Sequence, residues 1–131
     1  MKDHTILLIE DNAQNRYLLT FLLEQNGYEV VTAADGTMGV ELAKKSVPAL
    51  ILLDIQLPIK DGYSIARDLR ATPTLRDIPI IAVTSYAMVG DREKCLEAGC
   101  NGYIEKPINP ETFVAQIETF IKPSSAKRGA L

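Results

Sequence analysis

The chain has 131 residues, 47% hydrophobic and 24% charged, with a net charge of −3, enough apolar material for one ordinary globular domain with a core. The negative balance argues against a non-specific nucleic-acid binder, which needs a basic face to displace counterions. No apolar stretch approaches the ~18–20 residues that span a bilayer, and Met1-Lys2-Asp3-His4 followed by four aliphatics is no secretory leader, so a cytoplasmic location is expected.

Thr5–Ile9 reads as a buried strand. A helix follows from Asn12 or Ala13 to Asn26, with Leu18, Leu19, Leu22 and Leu23 on one face and Gly27 as its stop. Tyr28–Ala33, rich in β-branched residues, is a second strand. Asp35 caps a helix running to about Lys45, with Val40, Leu42 and Ala43 apolar, and Pro48 ends it before a third strand, Ala49–Asp54. Pro58 and Gly62 mark a loop, and a helix near Tyr63–Arg70 turns Ile65, Ala66 and Leu69 inward. Thr72 to Pro79 is a connection into a fourth strand, Ile80–Thr84. A fourth helix, Asp91–Ala98, stops at Gly99, and a short fifth strand covers Gly102–Glu105. Asn109-Pro110 then starts a fifth helix, cap followed by proline, that continues to about Lys122 with Phe113, Ile117, Phe120 and Ile121 as its core face.

Alternating strands and helices predict an α/β fold, a doubly wound parallel sheet with right-handed crossovers. Five units fit a flavodoxin-like (βα)5 arrangement with strand order 2-1-3-4-5, an order assumed from the architecture. Residues 1–122 form the domain, and 123–131, short and polar, form a frayed tail.

The functional signal lies at the strand ends. Glu10-Asp11, Asp54, Thr84 and Lys106 each sit at or just past the end of a strand-like run, where parallel sheets bind ligands. Singly, each has a blander account: helix capping for the acids at 10 and 11, a turn for Asp54, strand-end capping for Thr84, an exposed edge lysine for Lys106. Together they bring three carboxylates, a hydroxyl and an ammonium to one crevice. Clustered carboxylates repel unless a cation joins them. Setting Lys106 against the three acids leaves two negative charges, matched by one Mg²⁺, which is bound through few carboxylates and retained waters. Lys106-Pro107 is a candidate cis peptide. Cys95 and Cys100 have no metal or redox spacing and read as packed thiols. His4, the single histidine, is expected to be solvated. It excludes a histidine metal site and leaves hydrolase schemes without a base.

Glu10-Asp11, Asp54-Ile55-Gln56-Leu57-Pro58, Thr84, Tyr103 and Lys106-Pro107 resemble the receiver domains of bacterial two-component response regulators over about residues 5–122. The segments 54–58 and Ala87-Met88-Val89-Gly90-Asp91 are most similar to stand-alone receivers of the DivK type. The resemblance implies phosphorylation of Asp54 by a histidine kinase or phosphotransfer protein. Mg²⁺ would be held by Asp11, Asp54 and the Gln56 carbonyl, with Glu10 acting through metal-bound water. Lys106 would pair with phosphoryl oxygens, Thr84 would swing onto one of them, and Tyr103 would carry the change outward. Gln56 and Tyr86 would flank the approach of hydrolytic water, giving slow self-dephosphorylation. With no effector domain in the sequence, output would pass to a downstream protein at helix four, strand five and helix five.

Two other functions fit less well. An aspartate-nucleophile phosphatase of the haloacid dehalogenase type needs an acid two residues after its nucleophile, where this chain has Gln56. A flavin or nucleotide binder on the same fold needs a phosphate-cradling loop after the first strand, where Glu10-Asp11-Asn12 is electrostatically wrong.

Overall fold

Short aliphatic runs separated by capped amphipathic segments give the chain its alternation of strand and helix. The computed structural model describes residues 4–57, 61–85 and 90–121. Among them are β1 (Thr5–Ile9), α1 (Ala13–Gln25), β2 (Glu29–Ala33), α2 (Gly36–Ser46), β3 (Leu50–Asp54), α3 (Gly62–Ala71), β4 (Ile80–Thr84), α4 (Asp91–Ala98), β5 (Gly102–Glu105) and α5 (Phe113–Glu118). The strands form one parallel sheet in the order β2-β1-β3-β4-β5, as expected. Leu7 lies between Val31 of β2 and Ile51 of β3, and Leu53 beside Ala82 of β4.

Alternation along each strand divides the core into two layers. Ile6, Leu8, Leu50, Leu52, Ile81 and Val83 face Leu19 and Leu23 of α1 and Phe113 and Ile117 of α5. Leu7, Ile9, Ile51, Leu53, Ile80 and Ala82 face Ala43 of α2, Ile65 and Leu69 of α3, and Cys95 and Ala98 of α4. Each Leu or Ile buried this way contributes roughly 1.5–3 kcal/mol. Both cysteines are buried and free, as packed thiols should be.

Helix starts follow local hydrogen bonding. Asn12 accepts from Asn15 N–H at 2.9 Å, Asp35 from Met38 N–H at 2.8 Å and Asp61 from Ser64 N–H at 2.9 Å. Gly99 ends α4 at φ 110°, a left-handed position that favours glycine.

Several expectations need correction. Leu18 is not on the core face of α1: it is exposed beside Tyr17 and Phe21, and Leu19 and Leu23 alone are fully buried there. Four leucines in a six-residue span exceed the width of the stripe that the sheet covers. α5 begins at Phe113, not at Pro110, and is assigned only to Glu118. Asn109 still organises its start: its side-chain Oδ1 accepts from Glu111 N–H (3.0 Å), and its carbonyl from Thr112 N–H (3.2 Å) and Phe113 N–H (3.0 Å), a shared bond at the helix start. The connection after α3 contains a 3-10 turn, Pro73–Leu75, whose Leu75 is buried. His4 is not simply solvated, as its ring stacks beside Tyr28 with centroids 6.5 Å apart. The tail at 123–131, together with Pro58, Tyr86 and Lys122, lies outside the described residues.

Arg70, at the end of α3, ties two connections together, the one from α3 to β4 and the one from α4 to β5. Its Nε donates to Gly99 O (2.8 Å), Nη1 to the carbonyls of Leu75, Arg76 and Ile78 (3.2, 3.0 and 2.7 Å), and Nη2 to Asn101 Oδ1 (2.6 Å). The same Asn101 oxygen accepts from Ile80 N–H at 2.9 Å, at the first residue of β4. Arg70→Met keeps the stem and leaves those carbonyls without their charged donor. A loss of about 2–4 kcal/mol in stability is expected from urea denaturation. A loss under ~0.5 kcal/mol, the level of an ordinary surface substitution, would show that water replaces the guanidinium.

Candidate acidic site at the carboxyl edge of the sheet

Parallel pairing carries one residue past several strands and lines up their ends. Glu10 N–H donates to Ala33 O (2.9 Å), Ile55 N–H to Val83 O (3.0 Å) and Lys106 N–H to Thr84 O (2.8 Å). Asp54 is in register with Val83, and Thr84 with Glu105. Because β3 sits between β1 and β4, Asp54 comes out beside Glu10 and Asp11 on one side and Thr84 on the other.

One ligand oxygen from each of Glu10, Asp11 and Asp54 can be chosen so that all three lie within 4.8 Å of one another. Glu10, Asp54 and Thr84 are buried, whereas Asp11 is exposed. Lys106 reaches in from the end of β5, with Nζ 3.1 Å from Glu10 Oε1 and 3.5 Å from Asp54 Oδ2. The Lys106-Pro107 peptide is cis. The five residues expected to converge from four strand ends are therefore brought together.

Burial raises the Asp54 carboxyl above its ordinary value, and the neighbouring Glu10 adds to the rise through a hydrogen bond and its charge. The Gln56 N–H, which donates to Asp54 Oδ1 at 2.9 Å, and the Lys106 ammonium pull the other way. Glu10 Oε1 is buried and, its ion pair to Lys106 aside, has no hydrogen bond of good geometry. Hard carboxylate oxygens with unused acceptor capacity and excess negative charge suit a hard divalent cation such as Mg²⁺.

Tyr103 is half-buried and packs on the layer that contains Cys95 and Ala98 of α4. Burial, and then the charges of Asp91 and Glu105, raise its phenol. Its register partner is Ala82, which faces the same layer. Tyr86, the other residue expected near the water approach, lies outside the described residues.

Three local contacts were not legible in the residue pattern. Arg16 Nη1 donates to the carbonyls of Glu10 (2.8 Å) and Asp11 (3.0 Å), bracing the acidic turn from α1. The backbone N–H of Gly62 donates to Ile55 O at 3.0 Å, and a Cβ at that position would stand 2.6 Å from Ile55 Cα and 2.8 Å from Asp54 O. Only glycine lets α3 begin so close to the Asp54 turn. The Gln56 side chain donates from Nε2 to Thr84 Oγ1 and accepts from Ser85 N–H at 3.1 Å.

Comparison with known proteins places these features. The sequence model of the Response regulator receiver domain family matches residues 6–118. The polar-differentiation response regulator DivK of Brucella anthropi is 39% identical over 117 residues, covering 89% of this chain and 95% of that protein. Among solved structures, the receiver domain of a sensor histidine kinase from Pseudomonas aeruginosa PAO1 superposes with a TM-score of 0.83 at 39% identity, covering 91% of this chain and 98% of that one. That structure has a magnesium ion coordinated in its active-site cleft. A putative response regulator from Chloroflexus aurantiacus gives a TM-score of 0.86 at 30% identity, with 91% and 98% covered.

The raised Asp54 carboxyl has a consequence for stability. A carboxyl whose folded-state pKa exceeds its unfolded value costs stability at pH above both, and the cost is relieved as pH falls through the folded value. Metal-free protein should therefore gain stability from Asp54 as pH is lowered from neutrality through that value. Asp54→Asn should remove this dependence and melt higher at neutral pH by about 2–8 °C, the shift that ~1 kcal/mol produces in a domain of this size. A lower melting temperature in the variant would mean that the attraction of Lys106 outweighs the cost of burial and repulsion.

Proposed function

Because the chain belongs to the response regulator receiver domain family of two-component systems, we propose that it accepts a phosphoryl group on Asp54 from a histidine kinase or phosphotransfer protein and signals through phosphorylation-dependent protein contacts. The observation that carries this reading is the Asp54 carboxylate itself, buried at the end of the central strand with Glu10, Asp11 and Lys106 gathered around it.

In the transfer, an Asp54 oxygen attacks the phosphorus in line. The bond from phosphorus to the donor atom breaks, the leaving group keeps the electron pair, and an aspartyl phosphate results. Such transfers need positioning and charge neutralisation rather than acid-base chemistry. The Gln56 N–H holds Asp54 Oδ1 and so orients the carboxylate, while Lys106, 3.5 Å from Oδ2, is placed to pair with phosphoryl oxygens. Asp11, Asp54 and the Gln56 carbonyl would hold Mg²⁺, with Glu10 reaching it through water. The ion supplies neutralisation of the charge that builds on the phosphoryl group.

Phosphorylation replaces one negative charge with about two and adds strong acceptors. Thr84, at the end of the neighbouring strand, turns to one of these, and Tyr103 on the same layer follows. Beyond Tyr103 a cleft of about 310 Å³ is lined by Arg92, Tyr103, Glu105, Asn109, Thr112 and Gln116. This region of α4, β5 and α5 is the surface proposed to meet a downstream protein. No described helix is long and apolar enough to cross a membrane, which agrees with the proposed cytoplasmic setting. The protein promotes its own phosphorylation but is not an enzyme with turnover. Gln56 has no basic group to activate water, so it loses phosphate slowly.

Incubation with acetyl phosphate and Mg²⁺ should label the wild-type protein, and Asp54→Asn should abolish the label. Asp11→Ala should lose both Mg²⁺ affinity and labelling, while Glu10→Gln should be affected less. Label that persists on Asp54→Asn, or undiminished Mg²⁺ binding by Asp11→Ala, would sink the assignment. A panel of histidine kinases then identifies the physiological donor.

Thr84→Ala should still accept phosphate but bind a partner with little regard to it, a loss of coupling on the order of 1–3 kcal/mol. Binding assays on phosphorylated and unphosphorylated forms measure the difference, and normal coupling in the variant removes Thr84 from the switch.

A further inference from the structure

Gln56 is attached to the site in three ways. Its backbone N–H donates to Asp54 Oδ1 at 2.9 Å, its side-chain Nε2 donates to Thr84 Oγ1, and its Oε1 accepts from Ser85 N–H at 3.1 Å. The last contact settles the orientation of the amide. A backbone N–H needs an acceptor, so the oxygen must face Ser85, which leaves the nitrogen to Thr84. The two bonds hold the end of β4 against the turn that carries Asp54.

We infer that Gln56 is a positioning residue that latches Thr84 in the unphosphorylated state. The inference rests on the reading of Asp54 as phosphoacceptor and Thr84 as switch. In the resting site the Thr84 hydroxyl receives the Gln56 amide. Turning toward a phosphoryl oxygen on Asp54 takes the hydroxyl away from that donor, leaving Nε2 to find water or another acceptor. The latch therefore favours the resting arrangement, and a phosphoryl group must compete with it for Thr84. A bond made only in the resting state lowers the population of the other state by its own net free energy.

Gln56→Met tests this, since it keeps the side-chain length, the backbone N–H and the carbonyl while removing the amide. The probe is beryllofluoride, a phosphoryl mimic that adds to carboxylates, titrated with Mg²⁺ present. The titrations cover wild type, Gln56→Met, Thr84→Ala and the double variant. Gln56→Met should bind it roughly twofold to tenfold more tightly, the factor one net hydrogen bond contributes. That gain should vanish when Thr84 is already alanine, giving a non-additive cycle. A gain of equal size in both backgrounds would show that Gln56 acts on Asp54 or the cation directly, and would overturn the latch. Unchanged or weaker binding by Gln56→Met overturns it as well. If wild-type protein takes up no beryllofluoride, the phosphoacceptor reading falls first and the latch falls with it.

Discussion

Crowding of like charge around Asp54 is the constraint on which the rest of the site depends. Burial places this carboxylate and Glu10 where water cannot fully solvate them, and Asp11 adds a third charge at the rim. Among the described residues a single ammonium, Lys106, lies within 3.5 Å of both buried acids. The balance is left short of neutral, and that shortfall makes the site receptive to a divalent cation. It also sets a cost on adding more negative charge to Asp54 that a cation would offset. The same contacts that unsettle the metal-free state thus give the charged ligands their place.

The topology makes this crowding possible without a long loop. Only when β3 lies between β1 and β4 do Glu10, Asp54 and Thr84 emerge side by side. β5, next to β4, then delivers Lys106 from the outer edge through the bond between its N–H and the Thr84 carbonyl. Thr84 and Tyr103 sit on the adjacent strands β4 and β5, Thr84 in register with Glu105 and Tyr103 with Ala82. The crevice and the α4 side are thus joined by a single pair of hydrogen-bonded strands.

Most of the strands and the convergence of the site were legible because each rests on a pattern of nearby residues. Three aliphatic runs that end in an acid or a threonine mark where the sheet edge lies, and glycines 27 and 99 mark helix ends through the conformation they adopt. What escaped reading depends on contacts between distant segments, which leave no periodic trace. Arg70 looks like any solvated arginine at a helix end until the carbonyls of Leu75, Arg76, Ile78 and Gly99 are brought to it. The hold of Gln56 on Thr84 joins residues 28 apart in sequence. Leu18 misled for another reason: hydrophobicity says that a side chain can be buried, not that the sheet is wide enough to cover it. Asn109 does cap the segment, its Oδ1 accepting from Glu111 N–H, but the regular helix is set from Phe113 onward by packing that the cap residues alone do not reveal.

The sheet separates two cores that have different duties. Leu19, Leu23, Phe113 and Ile117 belong to one layer, while Tyr103, assigned to the switch in the proposed function, packs on the other. Durability and responsiveness are therefore adjustable apart from each other. On that proposal, volume-conserving exchanges beneath α1 and α5 would change chiefly how firmly the domain resists unfolding, whereas exchanges beneath α4 would also change how readily it answers its input. The two faces of one sheet thus allow firmness and response to be tuned by different sets of side chains.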